Sequence, residues 1–222
     1  MKNLFSFFRT FSLSDFKIIS SCSAILLLMF LLGDCSDSSK KQLFENFDNI
    51  GSCKLPGGFV YNKDKDMYTL SGSGYDMWFE TDEFSMAWKE VSGDFKLSAD
   101  VALAGEGTHE LRKMGLIIRE SLDPDAVHAN VALHGNGLAA LQFRLEKGGE
   151  TFDILSDNNT PEHIVMERVG NTIIMRTGNR EQPDATVELV LPQKSYVGLF
   201  ICSHEVDELE TGYFSNVRLE QK

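Results

Sequence analysis

From Phe95 to Leu103 the chain alternates apolar and polar residues along most of its length. A period of two is that of a strand with one face in a core and the other in water. Strand-like stretches recur at residues 68–74, 84–88, 114–120, 127–133, 139–145, 164–169, 172–177, 187–191 and 213–219. Between them lie Ser92-Gly93-Asp94, Asp123-Pro124-Asp125, Gly135-Asn136-Gly137 and Gly148-Gly149, residues that supply fixed or positive φ in turns. Gly170-Asn171 predicts a two-residue hairpin. Residues 62–66 read as a turn rather than a calcium loop, because the Gly and distal Glu of an EF-hand are absent. Residues 196–202 are apolar on both sides, as a central strand between two layers would be. No amphipathic helix longer than two turns is convincing. Roughly a dozen short strands imply a sandwich or barrel, and 222 residues suit one domain plus a leader.

The leader is a separate pattern. Lys2, Arg9 and Lys17 precede an uncharged apolar run at residues 18–33, the layout of a secretory signal. The run is short for a bilayer span, which needs about 20 residues. Leu32-Gly33-Asp34-Cys35 resembles a bacterial lipobox, with Asp34 departing from the usual small residue. Residues 1–34 are therefore expected to be a signal peptide, Cys35 a lipidation site, 35–43 a polar tether and 44–222 the domain. An ordinary signal peptide cut near Cys35, or an uncleaved anchor, is the alternative. The expected location is the bacterial cell envelope, as an exported lipoprotein held at the membrane only by its N-terminal lipid or signal anchor.

Charge narrows the partners. With 21 Lys+Arg against 33 Asp+Glu the net charge is −12. Nucleic acid and anionic membrane surfaces, which need a basic footprint, are excluded as partners, and a monomer is the simplest expectation. With Cys35 lipidated, Cys53 and Cys202 remain as an even pair in an oxidising compartment. No metal-ligand spacing links the five histidines, and no CxxC pair or phosphate loop occurs; no metal or cofactor is expected.

Several segments together resemble a family: residues 48–51, 68–74, 92–95, 113–121, His128-Ala129 and 197–203. The family is a largely uncharacterised bacterial one in the concanavalin A-like lectin/glucanase superfamily, some of whose domains are described as related to regulation of enolase. The resemblance implies an all-β, two-sheet antiparallel jelly-roll sandwich with one concave face. Its order of segments also places Cys53 and Cys202 close together as a disulfide. It implies no activity.

Alternation itself marks a polar face. Arg119 lies opposite Leu116 and Ile118, His128 and Asn130 opposite Val127, Ala129 and Val131, and Gln142 and Arg144 opposite Leu141 and Phe143. If these strands pair in sequence order, the five converge on one surface, where planar donors and acceptors beside an aromatic suit a sugar. Trp78 is the expected stacking residue; Trp88, alternating with Phe84 and Met86, reads as core. A solvated outer face is the plain alternative. Residues 205–210 resemble the E-x-D-x-x-E strand of laminarinase-type glucanases, but Glu208 breaks the pattern and the string reads as a loop. The expected function is thus carbohydrate binding without catalysis. A glycoside hydrolase or lyase on the same fold, or a structural interaction domain, is the alternative.

Overall fold

The computed structural model describes residues 41–222; the expected signal peptide, Cys35 and most of the tether lie outside the described residues. Fourteen strands follow in order: β1 (Asn46–Ile50), β2 (Gly58–Asn62), β3 (Met67–Gly72), β4 (Phe84–Ser92), β5 (Phe95–Leu103), β6 (Lys113–Arg119), β7 (His128–His134), β8 (Ala139–Arg144), β9 (Thr151–Leu155), β10 (His163–Val169), β11 (Thr172–Thr177), β12 (Ala185–Glu188), β13 (Lys194–Cys202) and β14 (Glu210–Gln221). They form two antiparallel seven-stranded sheets, ordered β1-β4-β13-β6-β7-β8-β9 and β12-β11-β10-β5-β14-β3-β2. The described residues contain no helix. This is the jelly-roll sandwich expected of the chain.

Local chemistry sets the pairing. Gly170 has a φ of 61°, and the β10–β11 register closes at Val169 opposite Thr172, so the hairpin has the two-residue loop that Gly170-Asn171 predicts. The turn after β2 closes with Asn62 opposite Met67. Alternate residues of both sheets meet in one core. Leu116 and Ile118 of β6, Ala129 and Val131 of β7 and Leu199 of β13 pack with Leu97 and Ala99 of β5, Met166 of β10 and Phe214 of β14. Burying this set is the main favourable term, at about 25 cal/mol per Å² of apolar surface.

The outer face of the first sheet has an apolar cluster of its own: Ile50, Met77, Phe84, Met86, Ile117, Ala132, Phe200 and Cys202. Met77 belongs to no strand. It is delivered by residues 74–83, the connection from the second sheet to β4.

Candidate functional site

The strands β6, β7 and β8 pair in sequence order, and their register aligns the polar residues in rows. Arg119 stands opposite His128, and His128 opposite Arg144. In the next row Ile117 stands opposite Asn130, and Asn130 opposite Gln142. Arg119, His128, Asn130, Gln142 and Arg144 are thus brought together. They are not an open surface: each is buried, with Gln142 the most accessible at 2%. Arg119 Nη1 donates to Asp82 Oδ2 at 2.6 Å, and Arg144 donates to both Asp82 oxygens, at 3.0 Å and 2.7 Å. His128 Nδ1 lies 3.7 Å from the same carboxylate. The Arg119 guanidinium also sits 5.2 Å from the centre of the Phe84 ring.

Asp82 explains the burial. It belongs to residues 74–83, a compact loop laid across this face with its ends together, as in an Ω-loop. Glu83 N donates to Asp76 O at 2.8 Å, and Asp82 N to Pro124 O at 2.8 Å. Gly74, with φ of 131°, is required at the root, since a Cβ there would meet Glu83 O at 2.0 Å. The loop stands on two acids. Asp76 accepts from Lys113 Nζ at 2.7 Å and lies 3.1 Å from His204 Nε2. Lys113 and Arg119 are the first and last residues of β6, so the two feet are separated by the strand's length. Between them Met77 plugs the outer apolar cluster. On the β8–β9 side, Thr151 N donates to Trp78 O at 3.2 Å, and Arg144 Nη2 donates to Phe79 O.

Electrostatics follow from this enclosure. Burial would raise the Asp82 and Asp76 carboxyls, but the adjoining cations hold both below the ordinary carboxylate range. Burial, reinforced by Arg119 and Arg144, pushes His128 down to about 3. It is neutral near pH 7, so the two guanidiniums are what keep Asp82 ionised.

The loop's other side faces solvent and is aromatic. Tyr75 is 55% exposed, Phe79 50% and Trp78 37%. The Tyr75 and Phe79 rings stack at 6.2 Å with 13° between planes, and Tyr75 also approaches His204, itself stacked on His109 at 4.4 Å. Trp78 was the sequence candidate among these. Tyr75 and Phe79 went unmarked because the loop has no periodicity, although three aromatics within five residues after Gly72-Ser73-Gly74 were a visible signal.

Three expectations are corrected. Trp88 is on the outer face, not in the main core: it borders the outer cluster, its Nε1 donates to Asp48 at 2.7 Å, and Tyr196 packs edge-on against it at 4.9 Å. The Cys53–Cys202 disulfide is not formed; both are free thiols. Cys53 Sγ donates to Ile50 O and Phe84 O, and Cys202 Sγ to Gly74 O and Glu83 O, so each is held by backbone carbonyls. Burial pushes the two thiols up to about 11 and about 12. Of residues 205–210, Asp207 pairs with Lys54 at the surface, but Glu210 opens β14 and forms a buried 2.6 Å bridge to Arg112. Among the described residues no three His, Cys, Asp or Glu side chains converge as metal ligands.

No family model and no curated protein matches the chain. Solved structures resemble it in fold. A functionally unknown protein from Saccharomyces cerevisiae superposes with a TM-score of 0.55 at 14% identity, covering 75% of this chain and 96% of that one. The carbohydrate-binding module CBM66 from Bacillus subtilis gives 0.51 at 16% identity over 81% and 98%. A family 7 alginate lyase in complex with product gives 0.52 at 7% identity over 74% and 83%. At these identities the likeness is one of fold, and nothing in it bears on regulation of enolase.

Proposed function

We propose that the protein binds a saccharide without cleaving it, and that the aromatic ridge of the loop is its platform. The observation that carries this reading is the stacked, half-exposed pair Tyr75 and Phe79 beside Trp78, on a loop anchored at both feet by buried ion pairs. Exposed aromatics clustered on a fixed support present flat apolar area at low entropic cost, and sugar rings stack on such faces. The two buried acids of the loop support binding rather than hydrolysis, because Asp76 and Asp82 are both engaged by cations and neither is placed as a free acid or nucleophile. Carbohydrate-acting proteins on this fold make the reading coherent; the fold alone does not carry it.

A glycan array probed with the protein tests it. Retention of at least one class of oligosaccharide is expected. Products released from a retained glycan would replace the binding reading with a catalytic one.

We further propose that the chain is exported and lipidated at Cys35, on the strength of the apolar run and Leu32-Gly-Asp-Cys35. Incorporation of a labelled fatty acid, lost in Cys35→Ala, is the expected result; label kept by that variant would refute it.

A further inference from the structure

Beneath the loop two cations share one anion. Arg119 and Arg144 are inaccessible, and both bond Asp82, whose side chain is equally enclosed. The other acids nearby, Asp123 and Asp125, stand at the rim, where the single cation Lys147 is shared between them. What Asp123 gives Arg119 is a backbone carbonyl. Among the fully enclosed side chains there is one guanidinium more than there are carboxylates, which burial penalises; the rim, with one acid more than its lysine, offsets this only from part-exposed positions. Beside it are four buried atoms with no hydrogen-bond partner among the described residues: His128 Nε2, Asn130 Nδ2 and Oδ1, and Gln142 Oε1. Buried side-chain polar groups are nearly always partnered. One observation concerns charge and the other hydrogen bonding, and they meet on two adjacent rows of the same sheet.

The sheet supplies every member of the cluster except Asp82. We propose that the ground beneath the loop is a latent subsite for an acidic sugar, kept closed by the protein's own carboxylate. A uronate group takes the place of Asp82 between Arg119 and Arg144, and ring hydroxyls satisfy His128, Asn130 and Gln142. The loop, released at Asp82 but still planted at Asp76, turns its aromatics onto the sugar. Guanidinium forks match a planar carboxylate two bonds at a time, so the class selected is a carboxylate-bearing saccharide. The inference rests on the saccharide reading above and adds to it the ligand's charge and the loop's release.

The test titrates the full chain with an oligogalacturonate and with the same oligosaccharide after reduction of its carboxyls to alcohols, while amide hydrogen exchange is followed over residues 74–83. The acidic form is expected to bind about tenfold or more tightly than the reduced form, and to speed exchange in the loop. Asp82→Asn, which removes the internal competitor, is expected to tighten the acidic form further and leave the reduced form unchanged. Should that variant fail to fold, the wild-type comparison decides. Equal affinity for the two forms, or acidic binding with loop exchange unchanged, overturns the inference and leaves the saccharide reading standing. Binding of neither overturns it as well, and the glycan array then decides the reading itself.

Discussion

The outer faces of the two sheets are written in the same alternating code and end in opposite environments. In the second sheet the code holds: β3, β5 and β11 alternate between buried and part-exposed positions. The outward charges there pair at the surface, as Glu167 does with Arg176 and with Lys222, whose side chain is 54% exposed. In the first sheet every residue of β6 and β7 is buried. The difference lies outside the strands. Residues 74–83 roof the first face and bring Asp82 and Asp76 to cations that would otherwise face water, whereas the second face has open ion pairs. Alternation fixes which side of a sheet a residue takes; what covers that side is decided elsewhere in the chain.

The contrast is sharpest in stability. Asp82→Ala leaves two buried guanidiniums facing each other and is expected to cost about 3–5 kcal/mol, read as a lowered midpoint in denaturant. Arg176→Ala on the opposite face is expected to cost about 1 kcal/mol or less. Equal losses would mean that the roof contributes nothing. The string at residues 205–210 repeats the comparison on a smaller scale. Glu210→Gln breaks the buried bridge to Arg112 and is expected to cost about 2–3 kcal/mol, whereas Glu205→Gln is expected to stay within about 0.5 kcal/mol.

Acid distinguishes the faces again. His128 and His134 lie on the roofed face, and burial lowers them from 6.5 to about 3 and about 4. A histidine depressed in the folded state binds its proton more readily when unfolded. Its stabilising contribution is therefore full above pH 6.5 and is lost as pH falls toward the folded value, at roughly 1.4 kcal/mol per pH unit per histidine. Asp76 and Asp82, also depressed, extend the loss below the ordinary carboxylate range. The thermal midpoint is expected to fall between pH 6.5 and 4, and a flat profile there would contradict the burial of these rings. His128→Gln is expected to flatten part of the slope.

The strands were legible because period two and turn residues are local signals. The stretch from Phe95 to Leu103 and the Gly170-Asn171 hairpin match their sequence reading residue for residue. β1 and β9 were missed: both are five-residue strands at sheet edges, too short to establish a period. Convergence of Arg119, His128, Asn130, Gln142 and Arg144 was legible for the same local reason. Their partner Asp82 was not, since it lies 37 residues before Arg119 and 62 before Arg144 in an aperiodic segment. Trp88 was misplaced because a second, smaller apolar cluster lies on the outer face, and alternation cannot say which of two apolar sides is the main core.

The most direct test of the account compares one aromatic from each face by calorimetric titration with the strongest array ligand. Phe79 stands on the roofing loop at 50% exposure and Tyr213 on the second sheet at 39%. Phe79→Ala is predicted to weaken binding about tenfold or more without lowering the thermal midpoint, while Tyr213→Ala leaves affinity unchanged. Affinity that survives Phe79→Ala and falls in Tyr213→Ala would place the ligand on the opposite face and contradict the account.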